Sequence, residues 1–326
     1  MVITRRKIVT AIGAGAFGAS RMGLAQTAPP AVRRIGVLTP IDQPVNYPVL
    51  VDALRRLGYE DGKNVQLLLR SAKSDYARLP ALARELIDTQ VDVLVAFHTP
   101  GVQAAINATK TVPVIMMLVG DPVGSGFITS LARPGGNVTG VSNQLGELTS
   151  KRLSILHELV PGAKRIAVLY NPVDPVNEPQ LRNVKVAAPK LGVEVRFYPV
   201  KTLPELPETF NTLIAWRAQA AIWLNGQQQI YQPGTIALAA MYKLPVMVGN
   251  LLDVADGGLI AYAADMTDLV KRTATYVDKI LKGARAGELP VEQPTHFELA
   301  INLKTAKALG LKVPQAILLQ ATKVIE

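Results

Sequence analysis

The sequence predicts an α/β chain folded as two lobes, each built around a parallel sheet. Three observations predict it. From Arg33 onward, short continuous apolar runs alternate with stretches whose apolar residues recur at helical spacing. That is the pattern of strands buried on both faces and joined by crossover helices. The pattern then restarts: Lys164-Arg-Ile-Ala-Val-Leu-Tyr-Asn-Pro172 repeats the plan of Arg33-Arg-Ile-Gly-Val-Leu-Thr-Pro40. The repeat also keeps its spacing, with 78 residues from Ile35 to Pro113 and 79 from Ile166 to Pro245. A length of 326 residues, 49% of them apolar, is ample for two such cores.

In the first half, Arg34–Leu38 reads as a strand ending at Thr39-Pro40. Tyr47–Leu57 carries Leu50, Val51, Leu54 and Leu57 on one helical face, and Gly58 stops it. Val65–Leu69 is the second strand. Leu79–Ile87 is a helix with Pro80 in its first turn, where proline is tolerated. Val91–Phe97 is the third strand, Gly101–Ala108 a helix, and Val112–Val119 a fourth strand ending at Gly120-Asp121-Pro122. In the second half, Lys164–Tyr170, Gly192–Val200, Ala220–Leu224 and Leu244–Asn250 are the matching strands. The run Leu153–Leu159 is helical and places His157 at the surface.

Ahead of the lobes lies a segment of different character. Thr4-Arg5-Arg6-Lys7 leads into an apolar, Ala- and Gly-rich run to Ser20, and Gly23-Leu24-Ala25 supplies small residues for a cleavage. Residues 1–25 therefore read as an export signal cleaved near Ala25, which places the mature chain in the periplasm. The paired arginines resemble a twin-arginine signal, with a general secretory signal as the alternative. The apolar run is too short for a membrane span, which needs about 20 residues. Cleavage removes Arg5, Arg6, Lys7, Arg21 and no acid, so a net charge of +10 falls to +6. The remaining basic residues are interleaved with acids, as Lys271-Arg272 is with Asp265, Asp268 and Asp278. No aromatic-basic ribbon accompanies them, so a nucleic-acid partner is not expected. The chain has no cysteine, which excludes disulfides, thiolate catalysis and cysteine-ligated zinc.

Ligands in open α/β sheets bind beyond the carboxyl ends of the strands. Those ends carry Thr39, His98-Thr99 and Asp121 in the first half, and Asn171, Asn225 and Asn250 in the second. Asn, Asp and Thr are also favoured in turns and as helix caps; as a set facing one cleft they point to binding. Thr99-Pro100-Gly101 opens a helix, so Thr99 can cap it, and the helix start suits a carboxylate. Asp121 can take a ligand ammonium or cap a turn. Tyr47, Tyr170 and Trp223 are candidates to pack on an apolar ligand part, or else core residues.

Catalytic patterns are missing. The three histidines, His98, His157 and His296, are far apart, and there is no Gly-x-Ser-x-Gly elbow, Walker loop or His-Glu-x-x-His. Gly13-Ala-Gly15-Ala-Phe-Gly18 mimics a dinucleotide fingerprint but follows no strand. No catalysis, metal or cofactor is expected.

Ordered stretches across nearly the whole mature chain carry a family resemblance. They include Leu57-Gly-Tyr-Glu-Asp-Gly-Lys-Asn64, Arg78-Leu-Pro-Ala-Leu-Ala83 and Val119-Gly-Asp-Pro-Val-Gly124. Ser130-Leu-Ala-Arg-Pro-Gly-Gly-Asn-Val-Thr-Gly140, Lys151-Arg-Leu153 and Glu158-Leu-Val-Pro161 follow. The last are Tyr276-Val-Asp-Lys-Ile-Leu-Lys-Gly283, Leu289-Pro-Val-Glu-Gln-Pro-Thr295 and Ile301-Asn-Leu-Lys-Thr-Ala-Lys-Ala-Leu-Gly310. The chain resembles the ABC-transporter substrate-binding proteins that include tryptophan- and phenylalanine-binding members. The resemblance implies a type I periplasmic-binding-protein fold: two Rossmann-like lobes joined by three crossings. It implies lobe one over 32–142 plus 263–290, and lobe two over 143–262 plus 291–326. It further implies a monomer that closes on a small organic ligand, such as an amino acid, and delivers it to an inner-membrane ABC permease. Thr39, Tyr47, Thr99, Pro100 and Asp121 would meet the ligand from lobe one, and Asn171, Asn225 and Asn250 from lobe two. Three departures bear on the ligand. Ser71 stands where the family often has Trp, Asn225-Gly226-Gln227 replaces a frequent Pro-Asp-Pro, and Asn250-Leu251 lacks a bulky or basic residue. An exported α/β enzyme acting on a small carboxylate, or a sensor module, are the alternatives.

Overall fold

Short apolar runs form the centre of each sheet, Val93-Leu-Val-Ala-Phe97 in the first and Ala220-Ala-Ile-Trp223 beside Val246-Met247 in the second. In the computed structural model, residues 32–41, 46–174, 176–226 and 232–326 are described. The expected export signal and the linker after it lie outside them. The first half runs β1 (Arg33–Thr39), α1 (Asn46–Arg56), β2 (Val65–Ser71), α2 (Leu79–Asp88), β3 (Val93–Phe97), α3 (His98–Ala108), β4 (Val114–Val119) and β5 (Val138–Ser142). The second half runs α4 (Leu145–Leu159), β6 (Arg165–Tyr170), α5 (Asn177–Lys190), β7 (Glu194–Pro199), α6 (Leu206–Ala215), β8 (Ala220–Trp223), α7 (Gln232–Met241), β9 (Val246–Met247), α8 (Leu251–Ala255) and β10 (Ile260–Ala264). The chain finishes with α9 (Met266–Leu281), β11 (Phe297–Asn302), α10 (Leu303–Ala308), α11 (Gln315–Gln320) and β12 (Lys323–Ile325).

Five parallel strands in the order β2-β1-β3-β4-β5 make the first sheet. One row across it reads Leu69, Val37, Val95, Ile115, Thr139. Every residue of β3 and β4 is buried, as expected for a parallel sheet covered on both faces. One face packs on α1 and α9 through Leu50, Leu54, Val270 and Val277. The other packs on α2 and α3 through Leu79, Leu86 and Val102.

The second sheet has seven strands in the order β12-β11-β10-β9-β8-β6-β7. Its row runs Phe197, Val168, Ile222, Met247, Ile260, Ile301, Val324. The α/β lobes with mostly parallel sheets are as the repeat predicts, with one finding the pattern did not contain: β10 and β11 pair antiparallel. The chain leaves β10 at Asp265, lays α9 against the first sheet, and returns to β11 from the opposite direction. That is the second and third passage between lobes; the first follows β5 at residues 143–144.

Two other expectations change. The fourth strand of the second half is only Val246–Met247, because Gly249 and Asn250 already turn into α8. β5 has no counterpart in the apolar reading, since Val138-Thr-Gly-Val-Ser142 is short and broken by glycine. Gly140 is required there: at φ +133° a Cβ would lie 2.1 Å from the Met116 carbonyl oxygen. His157 is half-buried rather than surface-exposed, and its Nδ1 is buried without a partner.

Candidate functional site

Strand ends of both sheets and the starts of α1, α3, α4, α5, α8 and α9 come together at one gap. Side chains from both sheets enclose a cavity of about 440 Å³ there. Asn46 and Val49 of α1, His98 and Thr99 of α3, and Leu118 of β4 line it from the first lobe. Asn225, Asn250, Leu251 and Leu252 line it from the second, with Asn143 and Asp265 at the first two passages between lobes. None of the described lining residues is Phe, Tyr or Trp.

Several helix starts at this cavity lack side-chain caps. Thr99 is not the cap of α3: that position is Phe97, and no side chain bonds to the first turn. Gln144 before α4 and Val176 before α5 likewise supply no cap bond. At α5, Asp174 nevertheless accepts from the Val176 N–H through Oδ1 and from the Asn177 N–H through its carbonyl, each at 3.1 Å, whereas the starts of α3 and α4 keep uncapped N–H groups and a positive dipole end, which favours a carboxylate. α9, by contrast, is closed by Asp265, which accepts from the Asp268 N–H at 3.1 Å.

Backbone strain collects at the same place. His98, Leu118 and Gln144 have φ of 59°, 64° and 52°, a left-handed conformation that costs a non-glycine residue about 1–3 kcal/mol. At Leu118 the β4–β5 register slips between Met117 and Val119, a bulge that re-aims a side chain next to the cleft. His98 is half-buried, and desolvation pushes its imidazole down to about 4, so it stands neutral in the cavity wall at pH 7.

Beneath the second lobe's rim lies Arg152 of α4, 1% exposed. Its Nη2 donates to the Trp223 and Val248 carbonyls, each at 2.8 Å. Those carbonyls stand two residues before Asn225 and Asn250, so one guanidinium fixes both strand exits. Desolvation lowers its pKa to about 9, partly offset by Asp253. Asp253 accepts from the Asn250 N–H at 3.0 Å, and burial raises its carboxyl to about 6.

Of the strand-end residues, His98, Thr99, Asn225 and Asn250 meet in this cavity. Asn225 Nδ2 donates to the Gly249 carbonyl at 2.7 Å, leaving its Oδ1 buried and unpartnered. Asp121 and Pro100 sit elsewhere, in a second space of about 500 Å³ between α3, the turn after β4, and α5. There Asp121 Oδ1 accepts from the Gly124 N–H at 2.8 Å, and its Oδ2 lies 3.9 Å from Arg182 of the second lobe. Thr39, Tyr47 and Asn171 line neither space. Thr39 is turned onto the Ile41 backbone, and Asn171 Oδ1 accepts from the Val173 N–H at 2.9 Å. Tyr47 packs on the first lobe's core, which raises its pKa through burial and then Asp61. Tyr170 and Trp223 are packed in the second lobe's cores. Ser71 bonds through its hydroxyl to the Ile41 carbonyl and lines neither space. Sequence reasoning missed Asn46, Leu118 and Asn143. Asn143 was discoverable, because it follows a strand, but that strand was the one not recognised. Among the described residues, no group of three His, Asp or Glu side chains is placed to hold a metal.

A family model described as ABC transporter substrate binding protein matches residues 34–325. The chain belongs to that family. A curated relative, the tyrosine-binding protein of Clostridioides difficile strain R20291, is 30% identical over 279 residues, 83% of this substrate-binding protein and 80% of the relative. Among solved structures, an ABC domain from Streptococcus pneumoniae in complex with L-Trp is 28% identical with a TM-score of 0.83. The ligand-free, open structure of a Clostridium difficile substrate-binding protein with adhesive properties is 27% identical with a TM-score of 0.70. Both alignments cover 90% of this chain and 99% of the other. No helix among its described residues is long and apolar enough to cross a membrane.

Proposed function

We propose that this substrate-binding protein captures a small α-amino acid between its lobes and hands it to an ABC permease for import. One observation carries the reading: a cavity walled by both lobes, into which the uncapped start of α3 and the amides of Asn143, Asn225 and Asn250 open. The helix start suits the ligand carboxylate, and the amides suit its N–H donors. The relatives' tyrosine and tryptophan support the amino-acid class. Among the described lining residues the apolar ones are Ile, Val, Leu, Ala and Met, which suits an amino acid with a flexible side chain. The basic, apolar, small-residue pattern of residues 1–25 supports export to the periplasm.

Capture here is a change of population. Ligand contacts made by both lobes exist only when the lobes are together, so binding shifts the open–closed equilibrium toward the closed form. The experiment is a thermal melt of the protein with each of the twenty L-amino acids. A ligand at 100 times its Kd adds about 2.7 kcal/mol, a rise of several degrees. A melting temperature unmoved by all twenty contradicts the amino-acid reading.

A further inference from the structure

Asn143 follows β5 directly, at the chain's first passage from one lobe to the other. It is 7% exposed, it lines the cavity, and its Oδ1 is buried without a hydrogen-bond partner. Leaving a buried acceptor unpaired is costly, about 1–3 kcal/mol, so the oxygen stands where something outside the chain satisfies it.

The backbone holds it there. The Asn143 N–H donates to the Val119 carbonyl at 3.0 Å, and the Ser142 hydroxyl donates to the same oxygen at 2.8 Å. The Gln144 N–H then donates to Ser142 Oγ at 3.2 Å, with Gln144 itself left-handed. On the facing strand, the left-handed Leu118 precedes the Val119 carbonyl that anchors both bonds. The space beside the amide is kept small-walled by Gly120. A Cβ at that glycine would stand 3.3 Å from Leu145 and Val176, and 3.7 Å from Asn143 Oδ1.

We propose that Asn143 is a ligand-contact residue built into the hinge: its amide oxygen accepts a hydrogen bond from an N–H donor of the bound ligand. Since Asn143 lies on the passage between lobes, that contact connects ligand directly to the segment that must bend on closure. Asn225 offers a second unpartnered amide oxygen from the other lobe. The ligand class that follows is a small carboxylate carrying an ammonium or amide N–H group, read by neutral amides rather than by Asp121. This rests on the reading of the same cleft given above.

The test uses the full protein and its Asn143→Leu and Asn143→Ala variants, each melted alone and with the twenty L-amino acids. A polar group that nothing in the chain satisfies adds no stability to the unliganded fold. The unliganded variants are therefore expected to melt at or above wild type, in at least one of the two. The amino acid that shifts wild type is expected to bind both variants at least about tenfold more weakly. Asn143→Asp, which keeps an acceptor oxygen, is expected to retain binding. Unliganded melting temperatures lowered in both variants, or an affinity unchanged in both, overturn the proposal. A wild type that responds to no amino acid sinks the amino-acid reading alone; the unliganded melting temperatures still decide the role of Asn143.

Discussion

At the scale of single residues, the cleft is held by groups that are expensive to bury. Arg152 is the clearest case, a guanidinium 1% exposed whose Nε and Nη1 find no partner. Replacing it with methionine relieves the buried charge but orphans the Trp223 and Val248 carbonyls and leaves Asp253 without its cation. The net expectation for Arg152→Met is a loss of about 2 kcal/mol, read from the urea midpoint. His98 and Asp253 give a pair of opposed pH effects. The folded imidazole titrates near 4 against 6.5 for its ordinary value, so acidification from 6.5 to 4 protonates the unfolded chain first and lowers stability. The folded Asp253 carboxyl titrates near 6 against 3.8, so the folded chain holds the extra proton, and stability rises as pH falls from 6 to about 4. Between pH 4 and 6 the slopes oppose. Denaturation midpoints at pH 4.5 and 6 should show Asp253→Asn losing more stability on acidification than wild type, and His98→Asn losing less. The same ordering of slopes in both variants contradicts these assignments.

At the scale of elements, the strands that were legible are those with long runs of buried aliphatics, such as Val93–Phe97 and Val114–Val119. Helices with a strong apolar face, such as α2 with Pro80 in its first turn, were equally plain. β5 was not, because three of its five residues are Thr, Gly and Ser, and its burial comes from lying at the sheet edge under the passage 289–292. With β5 unseen, its strand-end residue Asn143 was unseen too. The placement of Asp121 was likewise outside the reach of sequence: being at a strand end does not say which side of the sheet the turn faces. Nor does composition disclose that Leu118, His98 and Gln144 are left-handed; only the surrounding ladder enforces that. Gly140 provides the test at this scale. Gly140→Ala places a Cβ against the Met116 carbonyl at a φ of +133°. It should destabilise the first lobe by 3 kcal/mol or more, about the size of the larger point-mutant effects, and lower the melting temperature in both the presence and absence of ligand.

At the scale of the whole molecule, the proposed capture needs both α/β lobes, since each supplies part of the cavity wall. The lobes touch beside the cleft through Asp121 and Arg182, 3.9 Å apart and both solvent-exposed in part. A pair of that kind contributes at most about 1 kcal/mol, so Arg182→Ala should change ligand affinity by less than about fivefold in a calorimetric titration. On the capture proposed above, affinity resides in the cavity, where Asn143, Asn225 and the α3 start act together only when the lobes are together. Asn225→Ala should therefore weaken binding about tenfold or more, and because it also removes the Nδ2 bond to the Gly249 carbonyl it should cost the unliganded fold about 1 kcal/mol. Capture of an amino acid between the lobes is read most directly by native mass spectrometry of the protein with an equimolar mixture of the twenty L-amino acids. One adduct of a single amino acid per chain is expected, diminished by Asn225→Ala and untouched by Arg182→Ala. A bare chain at every amino-acid concentration, or an adduct indifferent to Asn225, would contradict it.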